Sequence, residues 1–309
     1  MSKLIKVAVI GECMAELSGQ VLGNMKQGYG GDTLNTALYL KRLLDGQAVV
    51  SYVTAMGDDS LSSAIVEQWQ AAGIDTQYVL RDSQRNVGLY MIENDDQGER
   101  TFHYWRDSAA ARFIVQHLEF KRVTEALFDY DVIYVSGISF AILPDNDRAQ
   151  LLTMLDEARF RGVKLVFDGN YRPRLWQSVA QTKENYEQFY EQADLALLTF
   201  DDEADLWGDA SIAAAAERLA MYTIPRLVLK DGANGCYLVA AGNMNHVATT
   251  PVANVVDTTA AGDSFNAGFL AAWLLGKTDE QAADWGNQLA GQVIQQAGAI
   301  VPTQPLIER

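Results

Sequence analysis

An α/β fold built on a mostly parallel sheet, with a smaller sheet inserted, is predicted by three features of this 309-residue sequence. Short β-branched runs alternate with amphipathic segments, the rhythm of a parallel sheet with crossover helices. The runs are apolar throughout, as strands buried on both faces must be. One stretch, residues 87–105, instead alternates apolar with polar residues on either side of a turn.

In chain order the rhythm begins with VAVIG at 7–11, a helix near 33–44, VVSYVT at 49–54 and a helix near 60–72. It resumes with VIYVSG at 132–137, a helix near 147–161, VKLVFDGN at 163–170, LALLT at 195–199 and RLVLKDG at 226–232. Between these, VGLYMIENDDQGERTFHYW reads as a hairpin whose turn is NDDQGE. Joined by residues 12–29, it is expected to form a lid over the carboxyl ends of the main strands, where ligands bind in open α/β folds. The alternative is a hairpin that only extends the sheet edge. With no internal repeat and no Pro/Gly/Ser-rich linker, residues 1–309 are expected to form one domain.

Composition narrows the function. Forty acidic against 24 basic residues give a net charge of −16, which repels nucleic acid and anionic membrane at long range. No apolar run is long enough to span a bilayer, and MSKLIKVAVIGE turns into a strand rather than a signal peptide, so a cytoplasmic protein is expected. Cys13 and Cys236 stand alone and are expected to be reduced and buried; with His103, His117 and His246 scattered, no zinc site is indicated. An anionic small substrate in so acidic a chain would need a local cation, which directs attention to Arg85, Arg100, Arg106, Arg112, Arg172 and Arg174.

The most informative segment is DTTAAGDSFNAGF at 257–269. Small residues at 260–262 let backbone N–H groups approach a ligand, and a helix's first turn leaves donors unpaired, which favours a phosphoryl group. Asp263 would face that anion, and the chemical reason for a carboxylate there is to take the proton of an attacking hydroxyl. Aspartate in a first turn also simply complements the helix dipole. Phe265, Phe269, Leu270, Trp273 and Leu274 recur at helical spacing and report packing only.

Other segments are weaker. AAWLLGKT at 271–278 imitates a phosphate loop, but its apolar residues belong inside a helix, and Thr278 with Gln281 makes a capping box for the next one. At GYGGDTLN, Gly30 and Gly31 precede a helix capped by Asp32 or Thr33; Asp32 and Asn35 could bond a polyol, or the whole could be a glycine turn and a cap. VFDGNYRPRLW presents Asp168, Asn170 and Arg172 at the end of a strand, and KDGANG at 230–235 reads either as a hairpin turn or as a loop that approaches nucleotide phosphates. VAVIGECMAE lacks the G-x-G-x-x-G turn of a nicotinamide-dependent oxidoreductase.

In this order the pieces resemble the ribokinase-like (PfkB) family of carbohydrate kinases over nearly the whole chain. Gly30, Gly31, Asn35 and Ala37 match its weaker signature and Asp257 to Asp263 its strong one. GECMAEL, FHYWRDSAA at 102–110, DGNYRPRLW and FDDEADLWG at 200–208 look like the 2-keto-3-deoxygluconate kinase subgroup. The resemblance implies a three-layer sandwich and transfer of the ATP γ-phosphoryl group to the 6-hydroxyl of 2-keto-3-deoxy-D-gluconate. It implies Asp263 as general base, with the amides of Ala260, Ala261, Gly262 and Asp263 as anion hole. Gly31, Tyr90, Tyr104 and Arg106 fall at substrate positions, and Arg172 lies near the carboxylate or the transferring phosphate. Asn170, Arg172, Lys230, Asp231, Gly232 and Gly235 fall at ATP positions, together with Ala260 and Gly262.

The family's N-x-x-E motif appears as Phe200-Asp201-Asp202-Glu203, leaving Glu203 as the magnesium-water ligand without its asparagine. Ala260 stands where glycine is commoner and requires a negative backbone angle there. The cofactors implied are ATP and Mg²⁺, and some relatives also bind a monovalent cation, here through carbonyls around Asp257 and Thr259. An exposed lid edge would pair copies into a homo-oligomer. The rival readings are a fructokinase or ribokinase acting on a neutral sugar, and a non-catalytic sugar or nucleotide sensor.

Overall fold

The computed structural model describes residues 3–94, 100–240 and 243–307. Among them lie thirteen strands: β1 (Ile5–Ile10), β2 (Met14–Gly19), β3 (Met25–Gly30), β4 (Ala48–Gly57), β5 (Val79–Asp82), β6 (Gly88–Asn94), β7 (Arg100–Trp105), β8 (Val132–Ser136), β9 (Lys164–Asp168), β10 (Leu195–Thr199), β11 (Arg226–Lys230), β12 (Cys236–Ala240) and β13 (Asn243–Val247). Nine form one sheet in the order β13-β12-β11-β10-β9-β8-β1-β4-β5. It is parallel from β11 to β5 and turns antiparallel at the β12–β13 edge.

Along the central strands successive side chains enter opposite cores. Val7 and Val9 pack with the helices Asp32–Leu43, Ser60–Ala71, Ala261–Leu274 and Asp279–Val293, while Ala8 and Ile10 pack with Phe120–Leu127, Asp145–Phe160 and Val179–Gln192. The two-residue strand repeat therefore makes three layers from one sheet. Trp69, Tyr52 and Phe269 are fully buried in the first core and Phe140, Phe167 and Phe189 in the second.

The remaining strands form a separate sheet, β3-β2-β6-β7, in which β2 runs parallel to β6 and the outer pairings are antiparallel. The expected hairpin is thus part of a second sheet rather than an extension of the main edge. Its turn, expected at 94–99, lies outside the described residues from 95 onward. β5 and the β12–β13 hairpin were not foreseen: β5 is four residues long, and β13 is largely exposed and polar, so neither carries a strong apolar pattern.

The false phosphate loop at 271–278 is the end of one helix and the start of the next. Thr278 Oγ1 accepts from Gln281 N at 3.3 Å and Gln281 Oε1 accepts from Thr278 N at 3.1 Å, the reciprocal cap expected from sequence. Cys13 and Cys236 are buried and unpaired. Among the described residues no helix is long and apolar enough to cross a membrane. Thr278→Ala should lower unfolding free energy in urea by about 1 kcal/mol, the typical value of an N-cap, without changing ligand binding.

Candidate active site

Adjacent parallel strands end on one side of the main sheet, and several deliver a polar residue there. Glu12 follows β1, Ser136 ends β8, Asp168 ends β9 with Asn170 just beyond, and Lys230 ends β11. Against these ends come the first turns of the helices Asp32–Leu43 and Ala261–Leu274. The two turns are joined directly: Asn35 Nδ2 donates to Asp263 Oδ2 at 2.8 Å, and Thr36 Oγ1 donates to the main-chain oxygen of Asp263 at 3.2 Å.

Asp263 is only 8% exposed. Burial holds its carboxyl well above the ordinary carboxylate range, and the charges of Asp32 and Asp168 push the same way, opposed by the Asn35 hydrogen bond and by Lys230. Asp32 was expected to cap its helix or bond a sugar. The boundary is instead at Gly31, with no side-chain cap, and Asp32 Oδ2 accepts from Ser136 Oγ at 2.6 Å and from Asn170 Nδ2 at 2.9 Å. Burial raises the Asp32 carboxyl as well. Asn170 achieves this contact with φ of 40°, a left-handed backbone that few non-glycine residues adopt.

A buried polar network supports this surface. Lys230 Nζ donates to Asn266 Oδ1 at 2.9 Å and to Asp168 Oδ1 at 3.3 Å, while Tyr134 Oη donates to Asp168 Oδ2 at 3.2 Å and accepts from Asn266 Nδ2 at 3.0 Å. A Cβ placed on Gly262 would lie 3.7 Å from Lys230 Nζ, so the ammonium sits close under the first turn of the Asp263 helix.

In that turn Ala261 N donates to Thr258 O at 3.1 Å, and the helical ladder starts with Ser264 N to Ala260 O at 3.0 Å, so the amides of Ala260, Gly262 and Asp263 stand ahead of the ladder. Ala260 is buried at φ of −114°, the negative angle its methyl group requires. The Asp257 carboxylate fastens the turn, accepting from Thr259 N (3.0 Å), Thr259 Oγ1 (2.6 Å) and Gly298 N (2.8 Å).

On the side of the smaller sheet, Arg106 follows β7 and is paired with Glu12, both side chains buried. The guanidinium lies 5.9 Å from the Tyr104 ring centre. Tyr90 and Tyr104 stack at 6.1 Å, and Tyr90 Oη donates to Glu16. Gly31 must be glycine, because a Cβ there would collide with the carbonyl oxygen of Glu12.

Other expected positions lie farther out. Arg172 is half exposed, donating to Tyr171 O at 2.7 Å and approaching Asp202 at 3.4 Å. Asp231, Gly232 and Gly235 make the β11–β12 hairpin turn, with Asp231 N donating to Gly235 O at 2.8 Å and positive φ of 51° and 98° at the two glycines. Glu203 lies close behind the strand end that carries Asp168: a Cβ on Gly169 would stand 3.6 Å from its Oε1, it is 1% exposed, it accepts from Tyr190 Oη at 3.0 Å and Arg218 Nη2 at 2.7 Å, and burial lifts its pKa to about 7. Asp202 of the same helix also borders the site, accepting from Tyr171 N at 3.2 Å, and its carboxyl is raised by burial and feels Arg172, Lys230 and Asp168.

Glu12, Ser136, Tyr134, Asn266 and Asp202 were thus missed from sequence. A charged residue directly after the apolar run VAVIG, and an asparagine three positions after Asp263 on the same helix face, were the available signals for two of them. Among the described residues no three His, Cys, Asp or Glu side chains are grouped to hold a metal.

Residues 4–305 match the model of the pfkB family of carbohydrate kinases. The chain is 49% identical over 302 residues to a 2-dehydro-3-deoxygluconokinase of Haemophilus influenzae, covering 96% of this chain and 95% of that protein. It is 45% identical over 310 residues to a 2-dehydro-3-deoxygluconokinase of Escherichia coli K12, covering 99% of both. A crystal structure of a PfkB protein from Polaromonas sp. JS666 superposes with a TM-score of 0.83 at 23% identity, covering 95% of this chain and 96% of that one.

The raised Asp263 carboxyl predicts a stability effect whose sign is fixed. An acid whose pKa is higher in the folded than in the unfolded state favours folding below the unfolded value, about 3.9, and that contribution disappears as pH rises through the folded value. Asp263→Asn should therefore raise the melting temperature at pH 8, and the gain should shrink toward pH 4 in a series of thermal melts.

Proposed function

We propose that this chain, which belongs to the pfkB family of carbohydrate kinases, transfers the γ-phosphoryl group of ATP to the 6-hydroxyl of 2-keto-3-deoxy-D-gluconate. The substrate is that of the activity for which the two relatives above are named. The observation that carries the chemistry is the buried Asp263, held by Asn35 in the helix turn whose amides at Ala260, Gly262 and Asp263 precede the ladder. A carboxyl made more basic by burial and neighbouring acids is better suited to accepting a hydroxyl proton in the transition state.

Asp263 takes the proton from the 6-hydroxyl as its oxygen attacks the phosphorus. The amides of Ala260, Gly262 and Asp263, with Lys230 beneath, offset the charge on the phosphoryl oxygens as the bond from the phosphorus to the departing ADP oxygen breaks. Arg172 and Asn170, with the hairpin turn from Asp231 through Gly232 to Gly235, border the nucleotide side. Mg²⁺ would supply charge neutralisation to the ATP phosphates, and Glu203 and Asp202 of the helix Phe200–Trp207 are the acids that would hold its water ligands. Arg106 meets the sugar acid's carboxylate, with Tyr90 and Tyr104 along the chain. The smaller sheet acts as a lid on a single domain. The same reading takes the protein as a cytoplasmic homo-oligomer.

One observation favours a rival. Arg106 is already paired with Glu12, so its charge is in part compensated, as a site for a neutral sugar would require. A coupled ADP-release assay over a sugar panel separates the two: kcat/KM should favour 2-keto-3-deoxygluconate over fructose and ribose, and equal values would refute the assignment. Arg106→Ala should harm the acid more than neutral sugars by about 2 to 4 kcal/mol in transition-state binding. Asp263→Asn should retain ligand binding by calorimetry with nearly abolished turnover; retained turnover would remove Asp263 from the role of general base.

A further inference from the structure

Three buried polar atoms around the sugar side of this site have no partner within the protein: Glu12 Oε1, Asn35 Oδ1 and Arg106 Nε. Buried polar atoms are almost always paired, and leaving one unpaired costs about 1 to 3 kcal/mol, so three in one place outline a missing ligand. Their chemistry is directional. The two oxygens accept, and the guanidinium nitrogen donates.

The order along the site follows from the contacts. Asn35 is bonded to Asp263, so its free oxygen lies at the end where phosphorylation occurs. Glu12 is bonded to Arg106, so its free oxygen lies at the end where the acid group is held. Room has been left for that carboxyl: a Cβ on Gly88 would stand 3.1 Å from Glu12 Oε1, and one on Gly31 would strike the Glu12 carbonyl. Glu12 is only 2% exposed, and a carboxylate so buried needs more than one partner.

In 2-keto-3-deoxygluconate, counting from the carboxylate, C2 is a ketone and C3 a methylene, so the first hydroxyl along the chain is at C4. We infer that Glu12 is a specificity-determining residue: one oxygen fixes Arg106 for the carboxylate while Oε1 accepts a hydrogen bond from the C4 hydroxyl. Asn35 Oδ1 serves the next hydroxyl, nearer Asp263. The enzyme thereby selects the configuration at C4 through an acceptor that the mirror placement of the hydroxyl does not reach. The inference rests on the substrate assignment above and adds to it the residue that reads a particular carbon.

The test is a substrate and variant cycle. Initial rates are measured for the wild type, Glu12→Gln and Glu12→Asp with 2-keto-3-deoxygluconate, its C4 epimer and its 4-deoxy analogue, alongside KM for ATP and thermal melts. Wild type should prefer the parent over the 4-deoxy analogue by at least about 30-fold in kcat/KM, because the analogue leaves Oε1 unpaired. In Glu12→Gln the amide oxygen turns to Arg106 and its N–H₂ faces the sugar, so that preference and the one against the epimer should collapse to within about 3-fold, with KM for ATP unchanged.

A folded variant that keeps the wild-type preference overturns the inference, as does a wild type indifferent to the C4 hydroxyl, a result that requires no variant to fold. In either case turnover of the parent sugar acid leaves the kinase reading standing; no turnover of it by wild type removes both. Should Glu12→Gln fail to fold, Glu12→Asp keeps the charge and withdraws the oxygen by one methylene, and the same collapse is expected of it.

Discussion

The hydrogen bond from Asn35 to Asp263 is the contact on which the site depends. It joins the first turns of two helices that are 228 residues apart in sequence and lie in the same core layer of the sheet. Each first turn contributes unpaired N–H donors and the positive end of a helix dipole to the same small volume. Without the bond, Asp263 would be a buried acid with no fixed direction. With it, the carboxyl is fixed between the first turns of the two helices.

The surroundings make that acid strained in the electrostatic sense. Asp32, Asp168 and Asp263 crowd the strand ends, and Lys230 is set among them with Asn266 and Tyr134 completing its bonds. A chain selected for stability alone would not bury three acids together. Here the arrangement raises the basicity of the Asp263 carboxyl, which is what the proposed role of general base requires. Asn170 repeats the pattern in the backbone, accepting a left-handed conformation so that its amide reaches Asp32.

The fold was legible because it depends on local patterns. Apolar strands such as VAVIG and LALLT, and helices with regular apolar spacing, announce a doubly covered parallel sheet, and the Thr278 to Gln281 cap could be read directly. Asp263 was legible for the same reason, since its turn, its helix and its charge are contiguous. What escaped reading is what the topology assembles from distant segments. Glu12 meets Arg106 across 94 positions, and Lys230 meets Asp168 across 62. Arg106 consequently looked like a free cation, and Asp32 like a cap, until their partners were in view. A motif gives an acid's position in the chain but not its partners: in the helix Phe200–Trp207, Asp202 meets Tyr171 N and Arg172, while Glu203 is held by Arg218 and Tyr190 beside Gly169.

The central claim is that burial and neighbouring acids keep the Asp263 carboxyl far more basic than an ordinary aspartate. Carbon-13 NMR titration of selectively labelled aspartate carboxyls, with the resonance assigned by its loss in Asp263→Asn, measures this directly. The account predicts that the Asp263 signal titrates well above the ordinary aspartate value of about 3.9. A midpoint at or below that value would contradict it.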